Sequence, residues 1–389
     1  MTTVMTSDNR GGERRENGRP MGAIGSIMLA AGGTGGHLFP AFALAEALGR
    51  RQIAVDLITD ERGDRYGVGF PARAMYQVPA ATASGKDPVK AALAAVKLGR
   101  GIAAAHAILG RVEPKAVIGF GGYPTFPPLL AAKLRGIPTA VHEQNAVLGR
   151  ANKMLAARVD RIATSFGKTK FLDDAFAAKA VHTGNPVRAI VLEAARTPYR
   201  PATSDTWFDL VVFGGSQGAR FFSNTVPPAI ALLSPDIKRR LKITQQARPE
   251  DVESVTSAYR ELGVQAEVAP FFKDLPARIA GAHLVVGRAG ASTIAELTVI
   301  GRPSILVPLP HAIDNDQLEN ARQLAESGGA WCIEEKELGA EALARGLAAL
   351  IERPDELARA AAAAKAQGRP NAVEMLADLA VDMMRRFSV

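Results

Sequence analysis

The residues that could do chemistry lie in a few glycine-rich turns. The first, Gly32-Gly33-Thr34-Gly35-Gly36-His37, follows the apolar run SIMLAA and leads into the Ala/Leu-rich AFALAEALGR, so it joins a buried strand to a helix. Backbone N–H groups of Thr34, Gly35 and Gly36 at a helix N-terminus can approach an anion closely. His37 beside them carries an imidazole, the side chain suited to taking a proton near neutral pH. Its role is that of base or orienter; a capping or packing histidine is the alternative. A second such turn, Gly121-Gly122-Tyr123, follows AVIGF, and together the two turns make an anion site. HEQN, which ends a further strand, brings Glu143 and Asn145, with His142 equally suited to packing and to chemistry.

The later half repeats the arrangement. Gly214-Gly215-Ser216-Gln217-Gly218 follows DLVVF, and its amides with the Ser216 hydroxyl suit a diphosphate. In GASTIAEL, Ala291, Ser292 and Thr293 open a helix and Glu296 stands one and a half turns inside. A carboxylate there accepts from both hydroxyls of a ribose, or is simply a solvated glutamate. Arg188, closing GNPVR, is an obligatory cation placed to meet nucleotide or phosphate. Asp314-Asn315-Asp316 spells D-x-D, a spacing that holds a divalent ion in other transferases. Without a His or carboxylate cluster beside it, the segment is read as sugar-loop polarity, with no metal and no cofactor. Gly-Lys-Ser/Thr is absent, which removes a P-loop, and Leu38 stands where a dinucleotide fingerprint wants its third glycine.

These turns need strands and helices to hold them. SIMLAA, AVDLIT, AVIGF, PTAVHE and RIATS in the first half, and DLVVFGG, LKITQQ, AEVAPF, HLVVGR and SILVPLP in the second, alternate with helical stretches. That is the signature of parallel sheets covered by helices. The pattern strand, glycine turn, helix recurs between Ile27–Leu48 and Asp209–Leu233, which predicts an α/β protein of two Rossmann-like domains facing across a cleft, with ligands at the C-terminal ends of the strands. The expected division is a disordered tail over 1–23, an N-terminal domain over 24–188 completed by the last helix at about 370–389, and a C-terminal domain over 189–369. The tail is polar and Arg/Gly-rich without the apolar core of a secretory leader, and Met21 is an alternative start to Met1.

At 389 residues, 47% apolar and 22% charged, the chain reads as a globular protein of two domains. Cys332 is its one cysteine, which excludes a disulfide framework and fits a reducing cytoplasm. A formal charge of +8 and a pI near 9.7 call for an anionic partner. Nucleic acid is a poor candidate, with aromatics at 6% and no nucleic-acid motif. No apolar run looks long and charge-free enough to span a bilayer. The stretch from Lys86 to Arg111, with Lys90, Lys97 and Arg100 among Ala, Val, Leu and Ile, fits basic amphipathic helices on an anionic membrane surface; a soluble surface helix is the alternative.

GGTGGH, GFGGYPTFPPLLAA, HEQNAVLGRANK, GNPVR, GGSQGAR, GASTIAEL and PHAIDNDQLENA, in that order and spacing, closely resemble the MurG family of GT-B glycosyltransferases, from Ile27 to the last helix. The resemblance implies a GT-B fold and inverting transfer of N-acetylglucosamine from UDP-N-acetylglucosamine to the 4-hydroxyl of the undecaprenyl-pyrophosphoryl-muramoyl-pentapeptide called lipid I. The product, lipid II, serves peptidoglycan synthesis and so cell shape and division. The resemblance also implies a peripheral enzyme on the cytoplasmic face of the bacterial inner membrane. By the same resemblance Ser216, Gln217 and Gly218 hold the diphosphate, the Phe272 backbone meets the uracil edge, Glu296 takes the ribose, and Gln317 reads the sugar hydroxyls, with Asp316 a second contact. Asn145 has the stronger claim to touch substrate within HEQN, and Glu143 is the second candidate base. The rival readings are a UDP-sugar epimerase on the same scaffold and a membrane-surface nucleotide-binding module without turnover.

Overall fold

Short runs of Val, Ile, Leu and Met assemble into two parallel sheets in the computed structural model, which describes residues 25–32, 35–60, 69–80, 88–215, 220–310 and 312–386. The first sheet contains β1 (Ser26–Ala30), β2 (Ala54–Thr59), β3 (Ala74–Gln77), β4 (Ala116–Gly119), β5 (Thr139–Glu143), β6 (Arg161–Thr164) and β7 (Ala180–His182). Their order across the sheet is β3-β2-β1-β4-β5-β6-β7, every pair parallel. The second contains β8 (Phe208–Phe213), β9 (Leu241–Gln246), β10 (Gln265–Ala269), β11 (Leu284–Gly287), β12 (Ser304–Leu306) and β13 (Ala330–Cys332), in the order β10-β9-β8-β11-β12-β13, again parallel.

Parallel strands need crossover helices, and those helices bury both faces of the sheet. All five residues of β1 are buried, and its period of two sorts them. Ile27 and Leu29 point into a core shared with Leu44 and Leu48 of the helix Gly35–Arg50 and with Leu376, Ala380 and Met383 of the helix Ala372–Arg386. Met28 points the other way, toward Ile108 and Leu109 of the helix Pro88–Val112 and Leu129 and Ala132 of the helix Phe126–Leu134. In the second sheet Leu210 and Val212 of β8 and Leu284 and Val286 of β11 pack on Phe222, Ile230 and Tyr259.

The chain forms two compact units, one of residues up to Pro186 together with Asn371 onward, the other Val187–Pro370. The C-terminal helix is therefore part of the first core. Its outer edge is tied down by Arg51 to Glu374 (2.6 Å) and Asp378 (2.7 Å), and by Arg50 to Glu374 (3.0 Å).

Two features differ from the reading of the sequence. Three of the four edge strands, β3, β7 and β13, carry weak apolar signals because each pairs on one side only, is half-exposed and is only three or four residues long. The helix segment Val89–Val112 is, by length and composition, apolar enough to cross a membrane, and 22% of its apolar window is buried. Its lysines and arginines interrupt the apolar run in the sequence, but Ala, Val, Leu and Ile outweigh them over the full helix.

Removing a fully buried side chain from the C-terminal helix should weaken the first unit far more than removing a surface ion pair. Leu376→Ala should cost about 2–5 kcal/mol, and Glu374→Ala, whose side chain is 47% exposed, about 0–1 kcal/mol. Urea unfolding of the two variants measures the difference; equal losses would contradict this account of the core.

Candidate active site

In each sheet the chain moves outward from its first strand and then returns to that strand's other side. Strand order therefore reverses between β1 and β4 and between β8 and β11. Loops leaving the C-terminal ends of such a pair diverge and open a crevice, the usual ligand position of α/β sheets. The glycine turns are the loops at these two places.

On the first unit, Gly35 and Gly36 begin the helix Gly35–Arg50 and His37 is its third residue; Thr34 lies outside the described residues. After β4, Gly121 and Gly122 have φ of +84° and +74°, and Gly122, with ψ 160°, caps the short 3₁₀ helix Tyr123–Thr125. Only glycine adopts that conformation without strain. It also lets the imidazole of His37 lie on the turn: a Cβ on Gly121 would come within 3.2 Å of His37 Cε1, and one on Gly122 within 3.4 Å of Cδ2 and Nε2. Gly32 meets Pro124 just as closely, so the first two turns pack directly on one another.

The end of β5 contributes four polar residues that alternate in direction, as strand geometry requires. Glu143 points one way. Its carboxylate, 2% exposed, accepts from the Asn145 backbone N–H (3.0 Å), the Gly149 N–H (2.8 Å) and Asn152 Nδ2 (2.8 Å). Burial pushes its pKa up against the pull of those hydrogen bonds. His142 and Gln144 point the other way. His37 Nδ1 lies 3.1 Å from Gln144 Oε1, Gln144 Nε2 lies 3.0 Å from His142 Nδ1, and His142 Nε2 lies 3.0 Å from the Gly184 carbonyl. Burial pushes the pKa of His142 down to about 4. Gln144 escaped the sequence reading, although its place two residues after His142 on a strand end puts both on one face.

On the second unit, the Gly214 N–H donates to Gln246 Oε1 (3.2 Å), whose Nε2 donates to the Pro270 carbonyl (3.1 Å). Gln246, at the end of β9, thus braces the loops after β8 and β10, another role not read from the sequence. Ser216, Gln217 and Gly218 lie outside the described residues. Phe272 is buried with its ring 4.4 Å from the Arg278 guanidinium. Ala291, Ser292 and Thr293 form the first turn of the helix Ala291–Ile300, and Glu296 is its sixth residue. Arg188 belongs to this unit and donates to Glu296 Oε1 at 3.2 Å. Burial nevertheless raises the Glu296 pKa, with Arg188 opposing the shift.

Gln317 Oε1 accepts from the N–H groups of Ala289 (3.3 Å) and Leu309 (3.1 Å), so what Gln317 offers a ligand is its Nε2 donors. Asp316 Oδ1 accepts from the Gln317 N–H at 2.8 Å, and burial raises its pKa. Just before them Asp314 and Asn315 are left-handed, at φ of +60° and +51°. Two successive non-glycine residues held there are the kind of backbone strain that gathers at ligand loops.

The family models for the glycosyltransferase family 28 N-terminal domain and C-terminal domain match residues 27–164 and 209–376. The chain belongs to glycosyltransferase family 28, and its two parallel-sheet units are the GT-B architecture. Within that class it is similar over nearly its whole length to the UDP-N-acetylglucosamine–N-acetylmuramyl-(pentapeptide) pyrophosphoryl-undecaprenol N-acetylglucosamine transferases. That of Rhizobium meliloti is 56% identical over 91% of this chain and 94% of the relative; that of Sinorhizobium fredii is 57% identical with the same coverage. The crystal structure of Acinetobacter baumannii MurG aligns with a TM-score of 0.77 at 28% identity, covering 92% of this chain and 99% of that one. A UDP-GlcNAc 2-epimerase from Neisseria meningitidis, at 13% identity and a TM-score of 0.65, shares the fold alone.

The buried His142 has a consequence for stability. Its folded pKa of about 4 lies below the ordinary 6.5, so the unfolded chain binds the extra proton first as pH falls. Its contribution is complete above about pH 6.5 and declines toward pH 4 by about 3 kcal/mol. His142→Leu should be the less stable protein at pH 7, and the gap between the two should narrow as pH falls through that window. Urea unfolding at several pH values gives the gap, and a constant gap would contradict the assignment.

Proposed function

We propose that this chain moves N-acetylglucosamine from UDP-N-acetylglucosamine to the 4-hydroxyl of lipid I with inversion, giving lipid II for peptidoglycan synthesis. The observation that carries the reading is the 56% identity with the Rhizobium meliloti transferase over 91% of the chain. Two switch-point crevices, each lined by glycine turns, suit a reaction whose donor and acceptor both present a diphosphate.

The second unit takes the donor. Amides of the turn after β8 and of Ala291–Thr293 face the diphosphate, the Phe272 backbone meets the base, Glu296 accepts from the ribose hydroxyls, and Gln317 with Asp316 reads the sugar. Arg188 holds the Glu296 carboxylate ready for the ribose. The first unit takes the acceptor, its pyrophosphate against Thr34–Gly36 and Gly121–Tyr123, with Asn145 a further contact. His37 is the base: it takes the 4-hydroxyl proton as that oxygen attacks the anomeric carbon and the bond to UDP breaks. Glu143, engaged by donors of Asn145, Gly149 and Asn152, holds the loop from Asn145 to Gly149 instead. Departing UDP is stabilised by helix N-termini and hydroxyls, electrostatic partners that need no rearrangement during the reaction.

The acceptor is anchored in a bilayer, and the helix Pro88–Val112 supplies a way to reach it. Its first half exposes Val89, Leu93 and Val96, spaced for one face at 66%, 65% and 62% exposure, with Lys90, Lys97 and Arg100 also exposed. The exposed helix supports a peripheral position on the cytoplasmic face of the inner membrane, apolar face in the headgroup boundary and cations on anionic lipid.

UDP release from UDP-N-acetylglucosamine should require a lipid I analogue; conversion of the UDP-sugar alone would favour an epimerase, and no release a binding module. Glu296→Ala should raise the donor KM about 10- to 10²-fold, the worth of a hydrogen bond to a charged group. Because its pKa is raised, the wild-type donor KM should climb as pH falls, starting above the usual carboxylate range. That climb should be missing in Glu296→Ala; its persistence would exclude Glu296 as the titrating group. Changing Lys90, Lys97 and Arg100 together to Gln should cost about 3 kcal/mol of attachment to anionic vesicles. Co-sedimentation indifferent to the change and to salt would remove this helix from the membrane.

A further inference from the structure

The reading of His37 as base leaves open which ring nitrogen does the work, and the hydrogen-bond chain behind it decides. The chain begins at a group whose role cannot vary. The Gly184 carbonyl can only accept, so His142 Nε2, 3.0 Å away, must donate. Buried without exposure and with its pKa near 4, His142 is neutral at working pH and holds one ring proton. Its Nδ1 is therefore an acceptor.

Gln144, 3% exposed, presents one amide atom both to that Nδ1 (3.0 Å) and to the His142 backbone carbonyl (3.0 Å). Two acceptors face one atom, so the atom is the NH2 nitrogen, and the amide cannot be reversed without setting an oxygen against both. Gln144 Oε1 then faces His37 Nδ1 at 3.1 Å. An amide oxygen only accepts, so Nδ1 of His37 carries the hydrogen.

We infer that Gln144 is a positioning residue that holds His37 in the Nδ1–H tautomer, making Nε2 the atom that takes the proton from the acceptor hydroxyl; the inference rests on the assignment of His37 as base. His142 and Gly184 are the outer members of the same chain. The Gly121–Gly122 turn leaves room for the ring, since a Cβ on Gly121 would meet Cε1 and one on Gly122 would meet Cδ2 and Nε2. The proton balance closes without a further reactant. The 4-hydroxyl proton goes to Nε2, the oxygen's electron pair forms the new bond to the anomeric carbon, and the pair of the broken bond stays on UDP. The imidazolium so formed keeps its Nδ1–H on the Gln144 oxygen, which stabilises the new charge.

The tautomer can be read directly. Long-range ¹H–¹⁵N correlation on histidine-labelled protein, with His37 assigned by its loss in His37→Asn, should show Nδ1 protonated and Nε2 bare at a pH where the ring is neutral. A protonated Nε2 in the unaltered protein overturns the inference. Gln144→Met keeps the shape of the side chain and removes all three of its hydrogen bonds to His37 and His142. It should let the Nε2–H form appear and lower kcat, with the donor KM unchanged. Losing the orienter of a catalytic histidine costs about 10⁴-fold where that orienter is a charged carboxylate, and a neutral amide should be worth less, about 10- to 10²-fold. An unchanged kcat in Gln144→Met overturns the positioning role. The unaltered protein's spectrum tests the tautomer even if that variant fails to fold. Near-normal turnover in His37→Ala, beside a bare Nε2 in the spectrum, would overturn the base assignment and leave the wiring standing.

Discussion

A parallel sheet delivers the C-terminal ends of all its strands to one edge, and a chain that lays its strands to both sides of the first must leave a gap there. Nearly everything at the candidate site follows from that constraint. The gap between β1 and β4 receives Gly32, the helix start at Gly35–His37 and the turn Phe120–Thr125, and its counterpart between β8 and β11 receives Gly214–Gly215 and Arg288–Gly290. Because the two turns in the first unit occupy neighbouring strand ends, they must pack on one another. That is why glycines stand where Pro124 and the His37 ring come close. The helices supply the apolar cover that keeps the strands in place, and the cover includes a segment from the far end of the chain, Ala372–Arg386.

Polar residues buried at a strand end must be satisfied, and β5 meets that demand by splitting its four residues between two networks. Glu143 gathers the N–H groups of its own following loop, while His142 and Gln144 reach away to β7's exit at Gly184 and to the first helix at His37. One network shapes a loop and the other orients a side chain, and alternation along the strand keeps them from competing. The second unit does the same with amides: Gln246 and Gln317 each brace two loops that lie far apart in the chain.

Ten of the strands, the glycine turns and the two-part architecture were legible in the sequence, because apolar runs and glycine clusters report local backbone demands. Three of the four edge strands, β3, β7 and β13, were not, since a half-exposed strand of three or four residues leaves little pattern, whereas the fourth, β10, runs for five. Partnerships across long separations were also hidden. His37 meets Gln144 across 107 residues and Arg188 meets Glu296 across 108, and no local spacing encodes either. The resemblance to a family pointed to candidate substrate contacts but not to the residues that brace them, so the roles of Gln144 and Gln246 became visible only with coordinates. The apolar length of the helix Pro88–Val112 was hidden for a different reason, as scattered cations mask an apolar average that emerges only over its whole length.

The chain of hydrogen bonds behind His37 terminates in a main-chain carbonyl, and this bears on how the site can change over time. Substitution replaces side chains and leaves the peptide group in place, so the acceptor at Gly184 survives any replacement that preserves the local path of the chain. The direction of the whole chain is inherited from that fixed point. Drift can therefore alter the middle of the relay but not its polarity, and a replacement at position 142 or 144 is tolerated only if it again donates toward Gly184 and accepts from His37.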